Sequence, residues 1–214
     1  MELWEDEMTT IYLKEGVELP ARDRTDHYAT PRNLITATLE AVPAHHRFTS
    51  ALDIGAGDGR WGQEVLQQFP KVNIMAGVEI TDQPKPEGFT LWCPHVDFLT
   101  WEPPCMFNLI VSNPPYYIAE EIIRKAWTLL EPGGEMIMLL RLAFQASIAR
   151  YKGLWKELYP IEIMVCSRRP SFYGGGTNGT DYGVFVWHKQ SNGTPLGHPL
   201  SWRTRLLNYE KDLE

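Results

Sequence analysis

Apolar positions along the chain fall into blocks of two kinds. Short, nearly continuous apolar runs recur at SALDI (50–54), VNIMAGVEI (72–80), TLWC (90–93), FNLIVS (107–112), EMIMLLR (135–141), IEIMVCS (161–167) and YGVFVWHK (182–189). Runs of this length bounded by Gly, Pro and Asn predict strands, and the fifth is too apolar to face water on either side. Between them the spacing becomes helical. GRWGQEVLQQF (59–69) places Trp61, Val65, Leu66 and Phe69 on one face, and AEEIIRKAWTLL (119–130) does the same with Ile122, Ile123, Ala126, Leu129 and Leu130. A third helix is predicted over 144–159, and PGG (132–134) is expected to end the second, because glycine is the usual residue past a helix C-terminus. Residues 1–25 lack a clear period and read as an extension with a short helix or irregular structure.

Strands separated by helices of this length predict an α/β fold, a Rossmann-like, doubly wound and mostly parallel seven-stranded sheet covered on both faces. The last two strands have no helix between them and are expected to pair as an antiparallel edge hairpin. The division that follows is an extension (1–25), one domain (26–190) and a tail (191–214), with WRTRLLNYEKDLE read as a short helix packed on the domain. A chain of 214 residues suits one sizeable core.

Composition narrows the function classes. No apolar run approaches the roughly 18 residues of a membrane span, and MELWEDEMTT has no basic, then apolar, signal pattern. The expectation is a cytoplasmic protein with no membrane partner. Cys93, Cys105 and Cys166 form no CxxC pair, so neither a disulfide framework nor a metal site is expected. The net charge of −7 is opposite to that of a strong nucleic-acid binder. Local basic patches matter more than the total, and the candidates are Arg22, Arg24 and Arg32, then Arg168 and Arg169, then Arg203 and Arg205.

Two turns carry candidate chemistry. DIGAGDG (53–59) closes the first strand, and Gly55, Gly57 and Gly59 allow a tight turn that a ligand can approach closely. Asp53 and Asp58 place negative charge where a pyrophosphate would sit, and Arg60 breaks the dinucleotide spacing, so a cationic ligand fits better. Twenty positions beyond Gly59, Glu79 stands where a carboxylate for a ribose diol is expected. A strand–helix turn without a ligand carries the same pattern. The second turn is SNPPYY (112–117), directly after an apolar strand. Proline cannot continue a central strand, so Asn113 is held rigidly at its end beside a ring, able to hydrogen-bond a flat amino-bearing ligand while the ring stacks on it. Asp97 and Phe98 in HVDFLTW read as an acceptor and a cover for a heterocycle, or as a surface Asp and a core Phe.

In this order the segments, over residues 26–188, resemble the class I methyltransferases that use S-adenosylmethionine. The glycine loop with Asp53, Gly55, Gly57 and Asp58 resembles their cofactor loop, Glu79 their ribose carboxylate, and Asp97 with Phe98 their adenine contact. SNPPY resembles the motif of amino methyltransferases acting on a planar nitrogen, most often the exocyclic amine of adenine in DNA. DHYATP (26–31), with Tyr28, Thr30 and Pro31, is similar to an element that such enzymes place over the methionine end of the cofactor. RRPSF…GGGTNGTDYGVFVW resembles a region of small phage and prophage DNA adenine methyltransferases.

The resemblance implies catalytic roles for Ser112, Asn113, Pro114, Pro115 and Tyr116, cofactor contacts that include Asn113, and substrate contacts from Tyr116, Phe172 and Arg169. It implies S-adenosylmethionine as cofactor, DNA as partner, and a bacterial or phage-infected cytoplasm as location. No separate target-recognition segment is visible, so selectivity is relaxed, another subunit supplies it, or the acceptor is not duplex DNA. RNA adenine or guanine and a protein glutamine stand as alternative acceptors, a scaffold without activity as a further one, and a nicotinamide oxidoreductase as a poorer fourth.

Overall fold

The apolar run at 135–141 forms the middle of a sheet. In the computed structural model, which describes residues 29–42, 48–172 and 179–209, it belongs to β5 (Leu130–Arg141). Alternate side chains of a strand point to opposite faces, so Ile137 and Leu139 enter one core while Met136, Met138 and Leu140 enter the other, all fully buried. The first core lies beneath α1 (Arg32–Ala41) and α2 (Arg60–Gln68), through Leu34, Ile35, Trp61 and Val65. The second lies beneath α3 (Ala119–Leu129) and α5 (Leu154–Glu157), through Ile122, Ile123, Leu154 and Trp155.

The remaining elements are β1 (Ser50–Ile54), β2 (Ile74–Val78), β3 (Leu91–Cys93), β4 (Phe107–Ser112), α4 (Ile148–Lys152), β6 (Glu162–Cys166), β7 (Tyr182–His188) and β8 (Arg203–Leu207). The sheet runs β3-β2-β1-β4-β5-β7-β6-β8, eight strands where the sequence pattern predicts seven. All neighbours pair in parallel except β7, which is antiparallel to both β5 and β6. The mostly parallel α/β architecture and the antiparallel β6–β7 pair are as expected. The edge itself is β8.

Three local expectations are corrected. The tail segment read as helical is the parallel strand β8, because its short period sends Leu207 inward while Arg205 donates to Glu162 Oε1 at 2.9 Å. The PGG stretch does not end α3. The chain turns extended at Leu130, and Gly133 (φ +83°) lies within β5, inside the register shift between the pairs Phe107–Leu130 and Leu109–Glu135, with its N–H on the Lys189 carbonyl at 2.6 Å. The 144–159 helix is broken into a 3-10 turn (Leu142–Gln145), α4 and α5, separated at Gly153. Helix α1, which the pattern does not single out, packs on α2. No helix among the described residues is long and apolar enough to cross a membrane.

Candidate active site

Strand order reverses between β1 and β4, where Ile54 pairs with Ser112. Ligands of open α/β sheets bind at such a point, outside the carboxyl ends of the strands. Both turns singled out in the sequence emerge there side by side. After β1 the chain takes positive φ at Gly55 (+63°), Gly57 (+54°) and Gly59 (+79°). At Gly55 a Cβ would meet open space, so the glycine there leaves room for the backbone to be approached. At Gly59 a Cβ would collide with the Pro86 ring, so glycine is required for packing. The Gly55 and Ala56 N–H groups donate to the Val78 carbonyl, which ties the loop to the end of β2.

Glu79 follows β2 and is buried. Its Oε2 accepts the Gly57 N–H at 2.8 Å, and its Oε1 accepts the Thr81 N–H and hydroxyl at 2.9 and 2.7 Å. Asp53 is 1% exposed. Its Oδ2 accepts the Gly62 N–H at 3.0 Å, and its Oδ1 has no hydrogen-bond partner among the described residues. Burial, with added repulsion from Glu79 and Asp58, pushes its pKa up to about 8. Asp58 is half exposed and forms an ion pair with Arg60, whose guanidinium also donates to the Thr30 carbonyl. The negative charge read from the loop is therefore reduced twice, at Asp58 by Arg60 and at Asp53 by the proton it keeps below about pH 8, and the second acidic side chain beside the loop is Glu79.

A cavity of about 210 Å³ opens beside Gly55 and Glu79. Its apolar wall comes from Ile80, Val96, Phe98, Ile118 and Ile122, and its polar positions from Glu79, Asp97 and Asn113. Phe98 is buried and Asp97 is exposed, with Asp97 Oδ1 accepting the Leu99 N–H at 2.9 Å. Ile80 is 62% exposed, a large apolar side chain left in water at the cavity wall. Its place directly after Glu79 is the signal that could have found it.

Asn113 lines the same cavity and is held from two sides. Its Nδ2 donates to Thr30 Oγ1 at 3.2 Å, and its Oδ1 accepts the Tyr116 hydroxyl at 2.9 Å. Trp61 Nε1 also donates to Thr30 Oγ1, at 3.0 Å. Thr30 therefore joins the segment before α1 to α2 and to the end of β4. Ser112 is fully buried, and its hydroxyl donates to the Ile54 carbonyl at 2.7 Å, so it fastens β4 to β1 and is not among the residues lining the cavity. Pro114 is buried, Pro115 lines the cavity and precedes the 3-10 turn Tyr116–Ile118, and Pro31 precedes α1.

The Tyr116 ring carries the guanidinium of Arg141, with Cζ 4.8 Å from its centroid, and tilts against Tyr182 at 5.8 Å. Phe172 packs edge-on to Tyr182 at 5.1 Å, which makes Tyr182 the bridge between the two aromatics read as base contacts. Arg169 forms an ion pair with Asp181 at 2.9 Å. Arg141 and Tyr182 carry no sequence signal, since their place follows from the antiparallel register of β7 on β5. Tyr28 lies outside the described residues.

The chain has the fold of the class I methyltransferases. It aligns over 91% of its length, at 14% identity and a TM-score of 0.64, with 68% of a Listeria monocytogenes protein described as a class I S-adenosylmethionine-dependent methyltransferase. No family model matches the sequence. Among curated proteins, the chain is 34% identical over 82 residues to the tRNA1(Val) (adenine(37)-N6)-methyltransferase of Vibrio cholerae, covering 34% of each chain. It is 30% identical over 156 residues to the protein of the same name in Flavobacterium johnsoniae, covering 57% of this chain and 65% of that one. The matched regions span less than two thirds of these relatives.

Proposed function

We propose that the chain transfers the methyl group of S-adenosylmethionine to the N6 amine of adenine in RNA of tRNA type. The observation that carries this reading is the meeting, at one strand-order reversal, of a nucleoside-sized, largely apolar cavity that holds Glu79 and Asp97 with the SNPPY turn, whose Asn113 and Pro115 line it and whose Tyr116 hydroxyl is bonded to Asn113. The residues present fit the cofactor. Glu79 offers a fixed carboxylate to a ribose diol, Ile80 and Phe98 an apolar wall to a purine, and Asp53 Oδ1 an unpartnered buried acceptor to an ammonium group. When bound, the cofactor supplies a methyl group already activated on a sulfonium.

The chain's own residues then handle the amine. The lone pair of an adenine amino group is delocalised into the ring, so the nitrogen is a weak nucleophile. Hydrogen bonds from its two N–H groups to Asn113 Oδ1 and the Pro114 carbonyl favour a tetrahedral nitrogen with its lone pair free for attack, and the Tyr116 ring stacks on the base. No strong general base is needed before the in-line displacement, whose rate depends on holding the two atoms in near-attack geometry. The proton lost afterwards passes to water. Asn113 Oδ1 accepts the Tyr116 hydroxyl in the free protein, so the substrate amine replaces that bond.

An RNA acceptor is preferred to the DNA acceptor read from the sequence because both curated relatives carry tRNA in their names. The test is transfer of labelled methyl groups to unmodified tRNA, with single- and double-stranded DNA in parallel and modified nucleosides as readout. N6-methyladenosine in tRNA is expected, falling about 100-fold or more in Asn113→Ala, with cofactor affinity retained. Label in DNA alone would restore the DNA reading. No label in any nucleic acid despite measured cofactor binding would remove the whole assignment.

A further inference from the structure

We infer that Arg141 is a phosphate-binding residue for the target nucleotide, parked on the Tyr116 ring until the base arrives. This rests on the nucleic-acid reading above and names a contact which that reading does not include. Arg141 is the last residue of β5, at the carboxyl edge of the sheet, in register with Tyr182. Its guanidinium lies 4.8 Å from the centroid of the Tyr116 ring, the surface assigned to the base. Its Nε is buried and has no hydrogen-bond partner among the described residues.

Other arginines of the chain are differently placed. Arg60 is bound to Asp58, Arg124 to Glu120 and Glu157, Arg169 to Asp181, and Arg205 to Glu162. A guanidinium carries five N–H donors in a planar fork that matches phosphate oxygens two at a time, and a buried donor left without an acceptor is costly. Arg141 is therefore held by an aromatic face where hydrogen-bond acceptors are missing.

The base and the guanidinium are both flat and compete for the same ring. A nucleotide arriving with its base toward Tyr116 displaces the guanidinium and brings a phosphate on each side of its sugar. Base and cation thus exchange places: the ring passes from Arg141 to the base, and the donors of Arg141 pass to a flanking phosphate. A guanidinium that only props Tyr116 would not sense that phosphate.

The experiment uses the full chain and oligonucleotides carrying the acceptor adenine, with one flanking phosphate at a time replaced by a neutral methylphosphonate (2′-O-methyl on the adjoining sugar keeps the linkage stable). For the wild type, one of the two replacements is expected to raise KM about 10-fold. Arg141→Gln is expected to show the same rise on the unmodified oligonucleotide, to be indifferent to that replacement, and to lose about 0.7 from the slope of log KM against log salt, with Arg141→Lys keeping most of the slope. Cofactor affinity serves as the folding control. Continued sensitivity of Arg141→Gln to the replacement, or a defect confined to kcat with the salt slope unchanged, would reduce Arg141 to a prop for Tyr116. If Arg141→Gln does not fold, a wild type indifferent to both phosphates overturns the inference, and a wild type sensitive to one supports it when Arg141→Lys alters that sensitivity and counts against it when Arg141→Lys does not. Absence of transfer by the wild type to any nucleic acid overturns the parent reading and this one together, whereas transfer without phosphate dependence overturns this one alone.

Discussion

At the scale of single residues, Asp53 sets the pH behaviour of the site. A carboxyl with a folded pKa of about 8 and an ordinary value of 3.8 holds its proton in the folded state over the interval between them. The unfolded chain binds fewer protons there, so the contribution of Asp53 to stability is full below pH 4 and is lost as pH rises through about 8. Asp53→Asn is expected to flatten that fall in the ligand-free protein, as seen in thermal midpoints between pH 5 and 9. In the proposed cofactor complex an ammonium beside Asp53 would favour the ionised form, so binding of S-adenosylmethionine below pH 8 would release a proton. Affinity is expected to rise by up to about tenfold per pH unit toward pH 8, and Asp53→Asn to lose both the rise and much of the affinity. Calorimetry at pH 6, 7 and 8 checks both. Asp53, Glu79 and Asn113 are legible in the sequence because each stands at or beside a strand end with a turn signal close by, Asp53 two positions before Gly55, Glu79 two after Gly77 and Asn113 directly before Pro114. Arg141 and Tyr182 are not, because strands distant in sequence bring them to Tyr116.

At the scale of elements, the segment before α1 is tied to the site through one hydroxyl. Thr30 Oγ1 accepts both Trp61 Nε1 and Asn113 Nδ2, and Arg60 grips the Thr30 carbonyl. Thr30→Val keeps the shape and removes the acceptor, leaving two donors without it. The expected outcome is a loss of about 1–3 kcal/mol in denaturant unfolding and a fall in kcat larger than the change in KM for cofactor, since Asn113 loses its anchor on Thr30. The sequence brings Thr30 forward by resemblance as a cofactor contact, whereas the structure places its hydroxyl between two side chains of the site. The PGG stretch and the broken 144–159 segment depart from their local sequence pattern for reasons of packing. Glycine at 133 serves a positive φ within β5, and the break at Gly153 lets Phe144, Leu154 and Trp155 reach one core, which no local period records.

At the scale of the molecule, the sheet order determines which surfaces remain open. β8 covers β6, which would otherwise present an unpaired edge. A chain ending at Trp202 is expected to aggregate or self-associate, seen as loss of the monodisperse peak in size-exclusion chromatography, while Leu206→Lys on the exposed side of β8 leaves that peak unchanged. Of the C-terminal arginines read as a possible nucleic-acid patch, Arg205 is bound to Glu162 at 2.9 Å, whereas Arg203 reaches the same carboxylate at 3.8 Å and stays exposed. The alternation of strand and helix made the fold class legible, because parallel strands require long crossovers. The eighth strand was hidden by its short, charged pattern.

Arg205 also donates to the carbonyl of Ala41, 164 positions earlier, at the last turn of α1. During synthesis on the ribosome α1 emerges early and β8 late, so this carbonyl waits for its arginine until nearly all the described chain has been made. The first described helix is fastened by the last described strand, which makes the synthesis of β8 a step in the closure of the fold.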